Sequence, residues 1–470
     1  MSKTSVLLSL KNCNYYSILN MHIKNFHLFI GIVVFSLMLS ACSKSDDPNV
    51  DPGPKPYEVP KAPEQGSIVD RTVLVYVVAD NSLSNFATSD LQEISEAIRT
   101  MDANLYKNNN LLIFYDQKSE SLKPRLFRYI KTGEVKTSEI DPNKKELVIG
   151  VQEENIMEYP GEVTSTEPSI IKEVMDKSFS TFPAKSYGFV YWSHGDGWLP
   201  GIYQNVAALR SLSPLKWMGI DSNNSSDRNA LTYKTGITEL AEVLKGAPKK
   251  LEFLLLDACF MISMETAYEL KDCTNYLIGS PTETPGPGAP YTQVVPAMFA
   301  SSQAAAKVGE IYFNFYENKF NPDVTNSNSN WTGGVSITVL DCTKLRGLAT
   351  VTRANLSSQP LDFVTLRSKV FDYDKRNSSS HVGYFDMQGL MEQILTPTGY
   401  VEWLTAYQSA LTFWKTTPKN YSSIVNLFSM EGAKGVSHYI PSANGSTVQR
   451  DEDYRSTTWF QDAGFESIGW

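Results

Sequence analysis

Two short stretches hold the residues that could do chemistry: "YWSHGDG", residues 191–197, and "LLLDACF", residues 254–260. Each is an apolar run that stops abruptly, the first at His194 and Gly195, the second at Asp257, Ala258 and Cys259. A thiol and an imidazole brought together are a nucleophile and its acid/base partner. Gly195 would let the backbone approach closely and, with the N–H of Cys259, offer donors to an oxyanion. Side chains two apart share one face of a strand, so Asp257 and Cys259 are expected to emerge together. The apolar spacing of "FMISMETAYEL" predicts a helix directly after the thiol, whose free N–H groups would favour the thiolate. Taken alone, Cys259 reads first as one more buried cysteine in an apolar strand, and Asp257 has an alternative reading as the cap of the following helix. The histidine at a second strand end favours the chemical reading.

His194 and Cys259 meet only if their strands are parallel neighbours joined by a crossover helix, because sites in open parallel sheets form beyond the carboxyl ends of strands. The surrounding sequence predicts this arrangement. From Arg71 onward, apolar runs at 72–80, 110–116, 125–130, 187–195, 251–259 and 275–280 alternate with helical patterns at 85–102, 169–179, 236–244 and up to about 271. Continuous apolar strands between helices predict an α/β fold, a mainly parallel sheet with helices on both faces. A further strand is expected at 333–341, followed by a smaller, mostly helical subdomain over 346–470 that includes a helical stretch at 399–414 and a last strand at 435–441. His381, in "NSSSHVG", reads as solvated, and His438, in "GVSHYIP", as an alternating strand residue.

Composition narrows the class. The chain of 470 residues is 42% hydrophobic, enough for a substantial core, which excludes disorder throughout. Its formal charge is −9, and three units more negative once the first 41 residues, with three lysines and no acid, are set aside. An acidic body without a basic stripe repels phosphate backbones, so no nucleic-acid partner is expected. "HLFIGIVVFSLML", residues 27–39, follows Lys24 and precedes Ser40, Ala41 and Cys42; it is short for a membrane span and has the zones of an export signal. "LSAC" resembles a bacterial lipobox, which implies a signal peptide over 1–41, lipidation of Cys42 and a membrane anchor, with Met21 the expected translation start. Residues 42–67 read as a Pro- and acid-rich tether, and Ser45, Asp46 and Asp47 resemble the export signals of Bacteroidetes surface lipoproteins, implying an outer-membrane, cell-surface address. With Cys13 removed and Cys42 lipidated, Cys259, Cys273 and Cys342 remain, an odd number without C-x-x-C spacing that indicates neither a disulfide framework nor a zinc site.

"YWSHGDGW" and "LLLDACFM", in this order on apolar strands, resemble the His-Gly and Asp-Ala-Cys motifs of the clostripain family of cysteine peptidases, relatives of caspases, legumains and gingipains. The resemblance covers about 70–345 plus the terminal strand, and implies a caspase-like peptidase domain over 68–345. It implies that His194 and Cys259 are the catalytic pair, that Asp257 reads a basic side chain before the scissile bond, and that Glu283 is a second acid of that pocket. Protein or peptide substrates with Arg, or Lys, at the cut follow, as does self-cleavage between His194 and Cys259, after Arg210, Lys216, Arg228 or Lys234. No organic cofactor is required, and calcium is implied by resemblance alone; "DSNNSSD", residues 221–227, lacks the glycine and the glutamate of an EF-hand loop. Two other readings compete: a non-catalytic, surface-anchored binding lipoprotein on the same fold, and a serine hydrolase, against which stands the lack of a G-x-S-x-G elbow.

Overall fold

The computed structural model describes residues 58–119, 121–200, 216–223, 233–324, 331–357, 361–376, 381–443 and 449–470; the side chains of 199, 200, 216, 217 and 233 lie outside that set. Cys42, the export segment, most of the tether, Arg210 and Arg228 fall outside the described residues. Residues Pro56–Trp470 cohere as one unit of contacts.

Strands β1 (Val69–Ala79), β2 (Asn109–Gln117), β3 (Arg125–Thr137), β4 (Lys145–Glu158) and β5 (Ala184–Trp192) are followed by a small sheet of β6 (Gly195–Pro200), β7 (Lys216–Asp221) and β8 (Tyr233–Gly236). Next come β9 (Leu251–Asp257), β10 (Thr274–Gly279), β11 (Ser336–Asp341), β12 (Tyr384–Asp386) and β13 (Leu411–Thr416). The nine-stranded main sheet runs β13-β11-β10-β9-β5-β1-β2-β3-β4. Its centre, β10-β9-β5-β1-β2, is parallel, with antiparallel strands on both flanks.

The parallel centre follows from apolar side chains on both faces of each strand. Along β1, Leu74, Tyr76 and Val78 enter one core, whereas Val73, Val75 and Val77 enter the other. Helices Pro168–Thr181 and Ile237–Lys245 cover the first face; Ser84–Thr100, Tyr291–Met298 and Ala304–Glu317 cover the second. The helical pattern expected at 399–414 ends sooner: helix Pro397–Ala410 stops, and "LTFWKT" becomes β13, paired with the edge of β11. Its aromatic and β-branched residues, Thr412, Phe413, Trp414 and Thr416, suit that open edge better than another helical turn. Of the long β3–β4 hairpin, the start of β3 at 125–130 was legible in the sequence; its distal half and β4 are polar and exposed along much of their length and bury no apolar run.

Candidate active site

The register between β5 and β9 sets the site. Their last pair is Trp192 with Asp257, so His194 and Cys259 leave the sheet side by side, each two residues beyond. Gly195 seals the approach: a Cβ there would lie 2.9 Å from Ala258 Cβ, 3.0 Å from the Cys259 carbonyl oxygen and 2.7 Å from Met261 Sδ. No side chain fits, which is the close approach the sequence suggested.

The His194 imidazole is partly buried, its Nε2 lies 2.9 Å from Ser82 Oγ, and its carbonyl accepts from Gly219 N at 2.8 Å. Burial pushes this imidazole down to about 4, and the positive charge of Lys234 adds to the shift. The Cys259 sulfur accepts from Thr284 N at 3.4 Å and lies 3.6 Å from Thr284 Oγ1. Burial pushes the thiol up to about 11, against the hydrogen bond from Thr284. Burial thus drives both groups toward their neutral forms. This corrects the expectation of a helix-favoured thiolate: the helix starts only at Met264 and is capped by Ser263 Oγ, so Cys259 does not sit at its N-terminus. Between them Phe260 has φ 60, a left-handed conformation held by its N–H to Thr282 O at 2.9 Å and by stacking on Tyr384.

The alternation of side chains stops with β9 at Asp257, so the acid and the thiol go separate ways. Asp257 enters the second core, where it accepts from Ala289 N, Tyr291 Oη and Tyr312 Oη, each at 2.9 Å. The wall 285–289 lies directly over it: a Cβ on Gly288 would come 2.5 Å from Asp257 Oδ2. Burial raises this carboxyl, against those three donors. Asp257 caps no helix. Glu283, next to Thr284, is held by Ser422 Oγ at 2.7 Å and Ser423 N at 2.9 Å. Lys234 is half-buried in β8, and Lys216 lies in β7.

Sequence reasoning missed a tie across the site. Arg376 Nη1 donates to both oxygens of Asp196 at 2.9 Å, and its Nε donates to Asp374 at 2.8 Å. Its guanidinium also lies over the rings of Phe260 and Tyr384. The residue after Gly195 and the residue after Cys259 are thus clamped by one side chain from the C-terminal third. Asp196 stood in the sequence as an acid beside the histidine, but no local pattern names its partner.

His381 is partly exposed, as expected, but it is also held in place: its ring lies between Asp372 Oδ2 at 2.5 Å and Arg367 Nη2 at 3.2 Å. His438 is the strand residue expected, fully buried, accepting from Trp459 Nε1 at 2.8 Å. Cys273 and Cys342 are buried. Asp80, Glu162 and Asp221 bring one carboxylate oxygen each within 4.8 Å of one another, and the nearby buried Asp116 has an oxygen without a hydrogen-bond partner. Burial, followed by the charge of Asp221, raises the Asp116 carboxyl. Among the described residues, no helix is long and apolar enough to cross a membrane.

A caspase-like sheet with a histidine and a cysteine at adjoining carboxyl ends defines a cysteine peptidase class. The family model described as the clostripain family matches residues 75–468, and the chain belongs to that family. A secreted C11 cysteine protease from Bacteroides thetaiotaomicron, solved with an irreversible peptide inhibitor, is 36% identical, with a TM-score of 0.69 over 85% of this chain and 100% of that one. An inactive zymogen C11 protease from Parabacteroides distasonis is 25% identical, with a TM-score of 0.64 over 84% and 99%. A search of curated proteins gave no match. The chain is a cysteine peptidase.

Proposed function

We propose that the chain is an endopeptidase that cuts after basic residues through a His194/Cys259 dyad. The observation that carries the dyad is the β5–β9 register, with Gly195 packed on the Cys259 carbonyl. His194 takes the thiol proton as sulfur attacks the scissile carbonyl carbon. The tetrahedral oxyanion is met by the N–H groups of Gly195 and Cys259. As the C–N bond breaks, His194 passes its proton to the leaving amine, and water then hydrolyses the thioester. A neutral resting pair suits this sequence, since the imidazole is free to accept and the thiol still carries the proton.

Basic selectivity is supported by a group of buried acids around the wall 285–289. Asp90 is 3% exposed and has an oxygen without a partner. Its carboxyl is raised to about 10 by burial and then by the charges of Asp257 and Glu93, and Glu283 lies on the thiol side of the same wall. An arriving guanidinium or ammonium would allow these carboxyls to ionise and pair with it. Because Asp257 lies beneath Gly288, the wall has to yield for a long side chain to reach it. The test is a panel of peptides differing only at the residue before the cut. Arg and Lys peptides are expected to lead, and Asp257→Asn to lose preference for them by on the order of 2–5 kcal/mol in transition-state binding. Asp90→Asn is a parallel variant that leaves the three donors to Asp257 in place. A panel led by apolar residues contradicts basic selectivity and leaves the dyad standing.

The zymogen among the relatives supports self-processing in this chain between His194 and Cys259. Of the four candidates, Lys216 and Lys234 lie in paired strands, which shields their peptide bonds; Arg210 and Arg228 lie outside the described residues. Wild-type protein is expected to run as two bands on a denaturing gel and Cys259→Ala as one; a single, fully active wild-type band rules self-activation out. The export segment and "LSAC" support an outer-membrane lipid anchor at Cys42. Calcium, implied by the family, would fit the hard oxygen donors of Asp80, Glu162 and Asp221, where it would neutralise their mutual repulsion as a structural ion.

A further inference from the structure

The histidine has a neighbour that neither the motifs nor the dyad account for. Ser82 lies in the loop after β1, exposed to solvent, with its Oγ 2.9 Å from His194 Nε2. An exposed serine ordinarily samples several rotamers, but the backbone that carries this one is fixed. The preceding residue, Asn81, is buried, and its Nδ2 donates to Val78 O at 2.9 Å, Ile220 O at 2.8 Å and Ser193 Oγ at 3.3 Å. Its Oδ1 accepts from Leu83 N at 2.8 Å, which closes a turn around Ser82. One asparagine therefore ties the loop to β1, to β7 and to the residue just before the histidine. The hydroxyl is presented to the ring by a rigid frame.

We propose that Ser82 is a positioning residue for the reaction: its hydroxyl accepts the Nε2–H of His194 and leaves Nδ1 as the nitrogen that serves the sulfur. The proton from Sγ–H goes to Nδ1 and from there to the leaving amine, so Nε2 keeps its own proton throughout. The contact strengthens when the ring becomes imidazolium, because a charge-assisted hydrogen bond is stronger than a neutral one. This matters at His194, whose burial disfavours the charged form. The inference rests on the His194/Cys259 dyad.

The test compares Ser82→Ala and Ser82→Thr with wild type, using one peptide substrate across a range of pH. Ser82→Ala is expected to lower kcat about tenfold with KM little changed, the loss of one charge-assisted hydrogen bond. The acid limb of the kcat/KM profile should move to lower pH, because a hydrogen bond that favours the protonated ring is gone. Threonine, which keeps the hydroxyl, should restore most of both. Thermal unfolding should not change, since the side chain is exposed. His194→Ala separates the two levels of the argument. If it stays fully active, the dyad is wrong; if it is inactive while Ser82→Ala matches wild type, or falls in a way threonine does not restore, the positioning role alone is overturned.

Discussion

Cys259→Ala is expected to lower peptide cleavage by at least about 10⁴-fold in kcat/KM while leaving the fold unchanged. The substitution deletes only a sulfur, whose hydrogen-bond partners are the N–H and the hydroxyl of Thr284 and which packs at the margin of the core, so little volume is lost. Cys273→Ala, which removes a thiol buried beneath the sheet, is expected to be nearly silent in catalysis. Circular dichroism and thermal unfolding check the fold, and hydrolysis of a fluorogenic peptide checks the activity. Comparable turnover by folded Cys259→Ala protein contradicts the mechanism.

Arg376→Ala should have the largest effect on stability. The Arg376 side chain, 19% exposed, neutralises Asp196 and Asp374, whose side chains are 18% and 0% exposed. Burial alone would raise the Asp374 carboxyl, but the hydrogen bonds and charge of Arg376 hold it below the usual carboxylate range. Without the guanidinium, the buried Asp374 and the half-buried Asp196 lose their balancing positive charge and keep only neutral donors such as Val382 N and Tyr384 Oη, at a cost of about 3–5 kcal/mol. Activity should fall as well, because the clamp joins the residue after Gly195 to the residue after Cys259. Urea denaturation reads the first effect. Asp196→Asn with Asp374→Asn in the Arg376→Ala background should recover much of it, since the lost stability is largely that of uncompensated charge. A stability within about 0.5 kcal/mol of wild type, the range of ordinary surface substitutions, contradicts the clamp.

The parts of this site that could be read from the sequence are those with a local signature. His194 and Cys259 each close an apolar run, and the helices between those runs dictate parallel neighbours, so the pair could be named before its geometry was seen. Asp257 was named too, but for a shared face with Cys259 that the end of β9 abolishes. Its three donors come from 289, 291 and 312, on a wall and helices that fold back over the strand, and nothing near 257 announces them. Arg376 and Asp196 are 180 residues apart, and their pairing exists only once the C-terminal third packs on the sheet. Ser82 follows an asparagine whose turn-forming type is visible in the sequence, yet its target is the end of another strand. The thiolate expectation failed for a similar reason: four residues separate Cys259 from the helix start at Met264, and the cap belongs to Ser263.

The central claim is that Cys259, activated by His194, is the nucleophile. The measurement that meets it most directly is covalent labelling with a peptidyl electrophile carrying Arg at the reacting position, followed by mass spectrometry of the digested protein. The account predicts one adduct per molecule, on Cys259, formed in step with loss of peptidase activity and slowed severely in His194→Ala. Full inactivation with the label on Cys273 or Cys342, or an inactivated enzyme whose Cys259 is unmodified, would contradict it.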